Sequence, residues 1–122
     1  MPRLPPELQA AGTRIRSALS AQPMEPPNPK EMAPTPLDQK ALKFLLDTGE
    51  AVFLDDKAVI LATALDEAKK RIAEHIQAKG RVTVSDLREV VGTTRRILVP
   101  LLEKLDKDGF TRREGDFRTL RQ

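Results

Sequence analysis

The sequence predicts a mainly helical protein of the α+β class with small β-hairpins, in which one order of helices followed by a hairpin occurs twice. Apolar residues recur at helical spacing in several segments, and two pairs of short apolar runs flank turn-forming residues. A glycine follows the helix before each pair. Because the repeat is one of pattern and not of identical residues, we expect the two copies to differ in function.

The first copy is predicted for residues 1–64. Apolar side chains at helical spacing predict a helix from Pro6 to Leu19, with Pro6 tolerated in its first turn. Prolines crowd residues 22–36, and proline lacks an amide donor and restricts the residue before it. This stretch is therefore predicted to be a loop without regular helix or strand.

A second helix of this copy is predicted after the proline-rich loop. Thr35 is the expected N-cap, Pro36 the first helical residue, and Gly49 the stop. Two short apolar runs follow, Ala51 to Leu54 and Ala58 to Leu61, which predict a β-hairpin.

The second copy is predicted for residues 65–122. Its first helix is predicted from Leu65 to Lys79, followed by a short strand at Arg81 and Val82. The pattern Thr83-Val84-Ser85-Asp86 is typical of a capping box, and Gly92 is a natural end for the helix that begins there.

The last helix is predicted from Thr93 or Thr94 to about Asp108, with a bend at Pro100. A second hairpin is predicted from Phe110 to Arg113 and Phe117 to Leu120. A helix, a short turn and a second helix followed by a hairpin are the parts of a winged-helix domain. The sequence therefore predicts two tandem winged-helix domains.

Enzymatic and metal-binding functions have little support in the sequence. Cysteine is absent, and the single histidine, His75, is expected to lie partly covered on a helix surface. Metal-ligand spacing and a phosphate-binding glycine loop are absent, so no catalytic residue, metal or cofactor is predicted. No apolar run reaches the ~20 residues that cross a bilayer, and Met1 to Ala10 does not resemble a signal peptide. We expect a cytoplasmic protein with no membrane partner.

The excess positive charge lies in the last third of the chain. Residues 81–122 hold 10 basic and 7 acidic side chains, and eight of the ten are arginine. A solvated surface explains this equally well by charge alone. However, Arg95 and Arg96 fall in the first turn of the last helix, and Arg112, Arg113 and Arg118 on the hairpin. The sequence therefore predicts one basic surface for nucleic acid.

The run GTTRRILVPLLEKLD at 92–106, continued by FTRREGDFR at 110–118, resembles the last winged-helix domain of SelB, the bacterial selenocysteine-specific elongation factor. The resemblance is specific over about residues 80–120 and looser over 1–64. It implies a C-terminal fragment without the GTP-binding, tRNA-carrying part. Such a fragment is expected to be a monomer that binds the selenocysteine-insertion hairpin of an mRNA and reaches the ribosome through the parent protein.

The resemblance also implies which residues bind. Those expected to meet the RNA backbone and an exposed loop or bulged base are Arg95, Arg96, Arg112, Arg113 and Arg118, with Thr94 beside them. Phe117 departs from the basic or small residue of the family's wing. Two alternatives stay open, a winged-helix DNA-binding transcription regulator and a protein-interaction winged helix. Reading of duplex DNA favours amide side chains beside arginine, and the last helix has few.

Overall fold

A computed structural model describes residues 5–55 and 58–121. The chain divides into two compact units, one extending to Thr63 and the other beginning at Ala64. Six helices and five strands occur in the described residues: α1 (Pro6–Ala21), α2 (Pro29–Met32), α3 (Pro36–Asp47), β1 (Ala51–Asp55), β2 (Ala58–Leu61), α4 (Ala62–Lys79), β3 (Val82–Thr83), α5 (Val84–Val91), α6 (Arg95–Lys107), β4 (Thr111–Glu114) and β5 (Phe117–Leu120).

The first unit packs α1 against α3 and the β1–β2 hairpin. Its core is aliphatic, as a chain with few aromatic residues requires, and includes Ile15, Leu19 and Leu45. The N-cap of α3 is Thr35, as predicted, and its hydroxyl accepts a hydrogen bond from the amide of Asp38. The buried Asp38 carboxylate pairs with Arg14 of α1, which ties the two helices together.

The prediction that residues 22–36 are entirely loop is wrong over Pro29–Met32, which form the single helical turn α2. Proline at the first helical position needs no amide partner, and its fixed φ suits a helix start. The Asn28 side chain caps the turn by accepting from the amide of Glu31 at 2.9 Å. Thus an Asn-Pro pair began a helix where the density of prolines indicated a loop.

The hairpin of the first unit is antiparallel, with Ala51 opposite Leu61 and Val52 opposite Ile60. Its predicted turn includes residues 56 and 57, which lie outside the described residues. Among the residues that the structure describes, no third strand pairs with this hairpin.

The second unit has three helices and a three-stranded antiparallel sheet of order β3-β5-β4. This is the winged-helix arrangement, in which α5 and α6 form the helix-turn-helix and β4–β5 the wing. The helix predicted to begin at Leu65 begins at Ala62, directly after β2. Buried apolar side chains of α6, among them Leu98 and Leu102, face the interior.

The turn between α5 and α6 follows the sequence closely. The capping box at the start of α5 is complete, because Thr83 and Asp86 each accept from the other's backbone amide. Gly92 ends α5 with a left-handed backbone, φ +74°, which costs glycine less than other residues. The chain then enters α6 at Arg95, and the helix continues through Pro100.

Candidate nucleic-acid interface

The first turn of α6 carries two exposed arginines, Arg95 and Arg96, and no acidic residue. A helix N-terminus has partial positive charge, so acidic residues stabilise it and basic residues oppose it. Two helices that do have a side-chain cap, α3 and α5, carry an aspartate in the first turn. The start of α6 therefore concentrates positive charge at some cost to helix stability.

The folded chain brings this helix start and the wing to one cleft of about 200 Å³. Arg95 lines it from α6, and Arg113 lines it from β4. The remaining lining residues come from the start of α5 and from the wing, and are Thr83, Val84, Ser85, Gly115, Asp116 and Arg118. Two arginines distant in sequence thus border one concave surface, as the sequence predicted for the helix and the wing.

The wing holds Arg113 in place across its own turn. The Arg113 Nε donates to the carbonyl of Gly115 at 3.1 Å, and Gly115 has a positive φ of +62°. Arg112, the preceding residue, is exposed. Among the described residues, neither Arg112 nor Arg113 takes part in an ion pair, so both cations are available to an anionic ligand.

Arg118 differs from the exposed wing arginine that we expected. Its side chain is only 6% exposed, and its guanidinium contacts the carboxylate of Asp106, with Nε 3.1 Å from both oxygens and Nη2 3.0 Å from Oδ2. The Thr111 hydroxyl donates to the same carboxylate at 2.6 Å. Arg118 is buried because β5 is the central strand of the sheet and this side chain lies beside the last turn of α6. This network joins the wing to α6.

Thr94 also differs from expectation. It is the N-cap of α6, but its side chain makes no capping hydrogen bond. Its hydroxyl oxygen is buried and has no hydrogen-bond partner among the described residues. Because RNA cannot reach a covered hydroxyl, we do not include Thr94 among the proposed RNA-binding residues.

Two basic residues near the wing were not singled out from the sequence. Arg81 stacks over the ring of Phe117, with its guanidinium carbon 4.3 Å from the ring centre, an arrangement that favours a cation. This contact accounts for the aromatic residue in the wing. Arg121, directly after β5, joins the wing arginines at a second hollow. Strand pairing creates both placements, and a local sequence pattern contains no signal for them.

The described residues contain no group of three or more histidine, cysteine or acidic side chains placed to hold a metal ion. His75 is half-buried on α4, where the sequence put it. None of the helices in the described part of the chain has the length and apolarity required to cross a membrane.

Residues 74–120 match the family described as "Elongation factor SelB, winged helix". A selenocysteine-specific elongation factor of Desulfomicrobium baculatum is 29% identical over 80 residues, which are 66% of this chain and 13% of that protein. The chain therefore spans about an eighth of the length of this curated relative. The resemblance of the C-terminal unit to the SelB winged-helix region is confirmed.

Two solved structures share the fold. The mRNA-binding domain of E. coli elongation factor SelB, solved in complex with SECIS RNA, is 22% identical with a TM-score of 0.78, covering 98% of this chain and all of that chain. A bacterial selenocysteine-specific elongation factor, EF-Sec, is 19% identical with a TM-score of 0.72, covering 97% of this chain and 19% of that one. At these identities the likeness concerns the fold.

Proposed function

We propose that this chain, whose residues 74–120 match the SelB winged-helix family, is an RNA-binding part of a selenocysteine-specific elongation factor. It binds the selenocysteine-insertion hairpin of an mRNA in the cytoplasm and supports recoding of UGA during translation. The parent protein brings it to the ribosome. In this role the chain is a binding module without catalytic activity or cofactor.

One observation carries the proposal: Arg95 at the start of α6 and Arg113 on the wing line the same cleft. Arginine offers a planar fork of donors that fits phosphate oxygens and stacks on bases. RNA is read mainly where bases leave the stem, because its A-form major groove is too narrow for side chains. A concave cleft between a helix start and a wing suits a loop or a bulged base, with Arg96 and Arg112 contacting phosphates beside it.

Affinity measurements on three nucleic acids test the proposal. The probes are the SECIS RNA of the E. coli complex, the same hairpin with a scrambled loop, and a DNA duplex of equal length. We expect the chain to bind the first of these, called the cognate hairpin below, more tightly than the other two. Arg95→Ala and Arg113→Ala should each cost about 1 to 3 kcal/mol on the cognate hairpin and remove its advantage over the scrambled loop.

The control is Arg71→Ala, which removes an exposed arginine of α4 that pairs with Glu67 at 3.2 Å in the same unit. This variant should bind like the unmodified chain. Stronger binding of duplex DNA than of either hairpin would support a DNA-binding regulator instead. Equal losses on both hairpins for Arg95→Ala and Arg113→Ala would reduce the cleft to a nonspecific electrostatic patch.

A further inference from the structure

A second concave surface beside the wing is not part of the cleft described above. It is a hollow of about 480 Å³ lined by Asp106, Thr111, Arg112, Arg113 and Arg121. Its three arginines are exposed, whereas Thr111 is buried and Asp106 is partly covered. Arg113 is the residue that lines both this hollow and the cleft of Arg95.

The carboxylate in this hollow does not neutralise the three exposed arginines. Asp106 pairs with the buried Arg118 and accepts from the hydroxyl of Thr111. Within the described residues, no ion pair includes Arg112, Arg113 or Arg121. Because Arg118 compensates Asp106 internally, the hollow keeps the charge of its three outer guanidinium groups and favours an anion.

A backbone hydrogen bond fixes the position of Arg121 beside the wing. The Arg121 amide donates to the carbonyl of Phe110 at 3.2 Å, which extends the pairing of the wing strands by one residue. Its Nη1 lies 3.7 Å from the point where a side chain on residue 109 would begin. Gly109 has a φ of +81°, which favours glycine, and the guanidinium lies at an ordinary contact distance beside it, next to the end of α6.

We propose that this hollow binds a phosphodiester group of the RNA stem, with Arg121 as a phosphate-binding residue. The inference rests on the proposed RNA-binding function and adds a site to it. Since Arg113 belongs to both surfaces, an RNA strand that enters the cleft at Arg95 continues past Arg113 into the hollow. The cleft then reads the loop, and the hollow fixes the strand that leads to it.

Salt-dependent affinity of Arg121 variants tests this site. Each phosphate contact contributes about 0.9 to the slope of log affinity against log salt on a duplex and about 0.7 on a single strand. Arg121→Ala should lower the slope by about that amount and weaken cognate and scrambled hairpins equally, by roughly three- to tenfold at low salt. Arg121→Lys should keep the slope, because it keeps the charge.

Replacing single phosphates of the RNA with neutral groups locates the phosphate that Arg121 contacts. A set of cognate hairpins is made, each with one methylphosphonate in the stem. At one position this neutral group should weaken binding by the unmodified protein and leave binding by Arg121→Ala unchanged. Arg71→Ala is the matched control and should respond like the unmodified protein. An unchanged slope for Arg121→Ala, or the absence of any such position, overturns the phosphate site.

The two proposals fail in different ways. If the unmodified chain does not prefer the cognate hairpin, the proposed function falls first. If it prefers that hairpin and depends on Arg95, while Arg121→Ala matches the unmodified protein in both slope and affinity, only the phosphate site is wrong. Circular dichroism of Arg121→Ala separates a binding defect from loss of the fold.

Discussion

Arg113 and Arg118 face each other across the β4–β5 pair, yet they have opposite surroundings. Arg113 is exposed and borders both concave surfaces, whereas Arg118 is buried against Asp106. Each lies inside a strand of four residues in the same hairpin, so their positions in the sequence do not distinguish them. Because Asp106 of α6 lies beside β5, Arg118 is paired and buried, whereas Arg113 stays exposed and is the one that we propose binds RNA.

We predict that Arg118→Ala lowers the stability of the unbound protein by about 2 kcal/mol, because the Asp106 carboxylate loses its charged partner. The Asp106 side chain keeps 23% exposure, so water compensates part of the loss and the effect stays below that of a fully buried pair. Urea unfolding measures it. Arg112→Ala, on the neighbouring strand and exposed, is the control and should unfold like the unmodified protein. If both variants have equal stability, the Asp106 network does not hold the wing.

At the scale of the element, α6 combines features that oppose each other. Its buried face, with Ile97, Leu101 and Leu105, anchors it in the second unit. Its first turn carries two arginines against the helix dipole, and Pro100 supplies no amide for the carbonyl one turn earlier. A helix optimised for stability would have neither feature, so the arginines point to a use in binding. The bend expected at Pro100 stays a prediction.

We predict that Arg95→Glu raises stability by about 0.5 kcal/mol, because a carboxylate favours the helix N-terminus. The same change should weaken binding of the cognate hairpin by more than about tenfold, because it places a negative charge where phosphate approaches. Thermal unfolding and fluorescence anisotropy measure the two effects.

The matched control is Arg88→Glu in the last turn of α5, where the helix dipole favours a cation. It should lower stability slightly and change affinity less than Arg95→Glu does. Should Arg95→Glu destabilise the protein and leave RNA affinity intact, the first turn of α6 is not a phosphate-binding end.

At the scale of the whole molecule, the two units have different surfaces. Three of the four large apolar residues that are exposed in the described chain, Leu37, Phe44 and Phe53, lie in the first unit. The arginine-lined cleft and hollow both lie in the second. We therefore propose that residues 65–122 bind RNA, while the first copy acts as a spacer or orienting arm.

We predict that a fragment from Ala62 to the C-terminus folds and binds the cognate hairpin within about tenfold of the full chain. It begins at Ala62 because α4 begins there, and a cut at Leu65 would remove its first turn. Circular dichroism and anisotropy test folding and affinity. The complementary fragment, ending at Leu61, should not bind. A fragment that folds but loses most of its affinity would assign the first unit a direct role in RNA binding.

The sequence by itself determined most of the local structure. Caps, glycines and apolar spacing are properties of neighbouring residues, and they predicted α3, α5, α6 and both hairpins to within a few residues. The same local signals failed at α2, where the proline count outweighed an Asn-Pro helix start. They also failed at the first residues of α4, because a helix can follow a strand without a capping signal.

Tertiary structure decided which arginines are available to a ligand. The sequence grouped Arg113 with Arg118, and it contained no reason to add Arg121 or to exclude Thr94. Burial, ion pairing and the sharing of a hollow depend on atoms brought together from α6, β4 and β5. The Asp106 carboxylate, for example, contacts Thr111, which is 5 residues away in the sequence, and Arg118, which is 12 residues away. A local pattern records the identity of such residues but not the partner that each one finds in the folded chain.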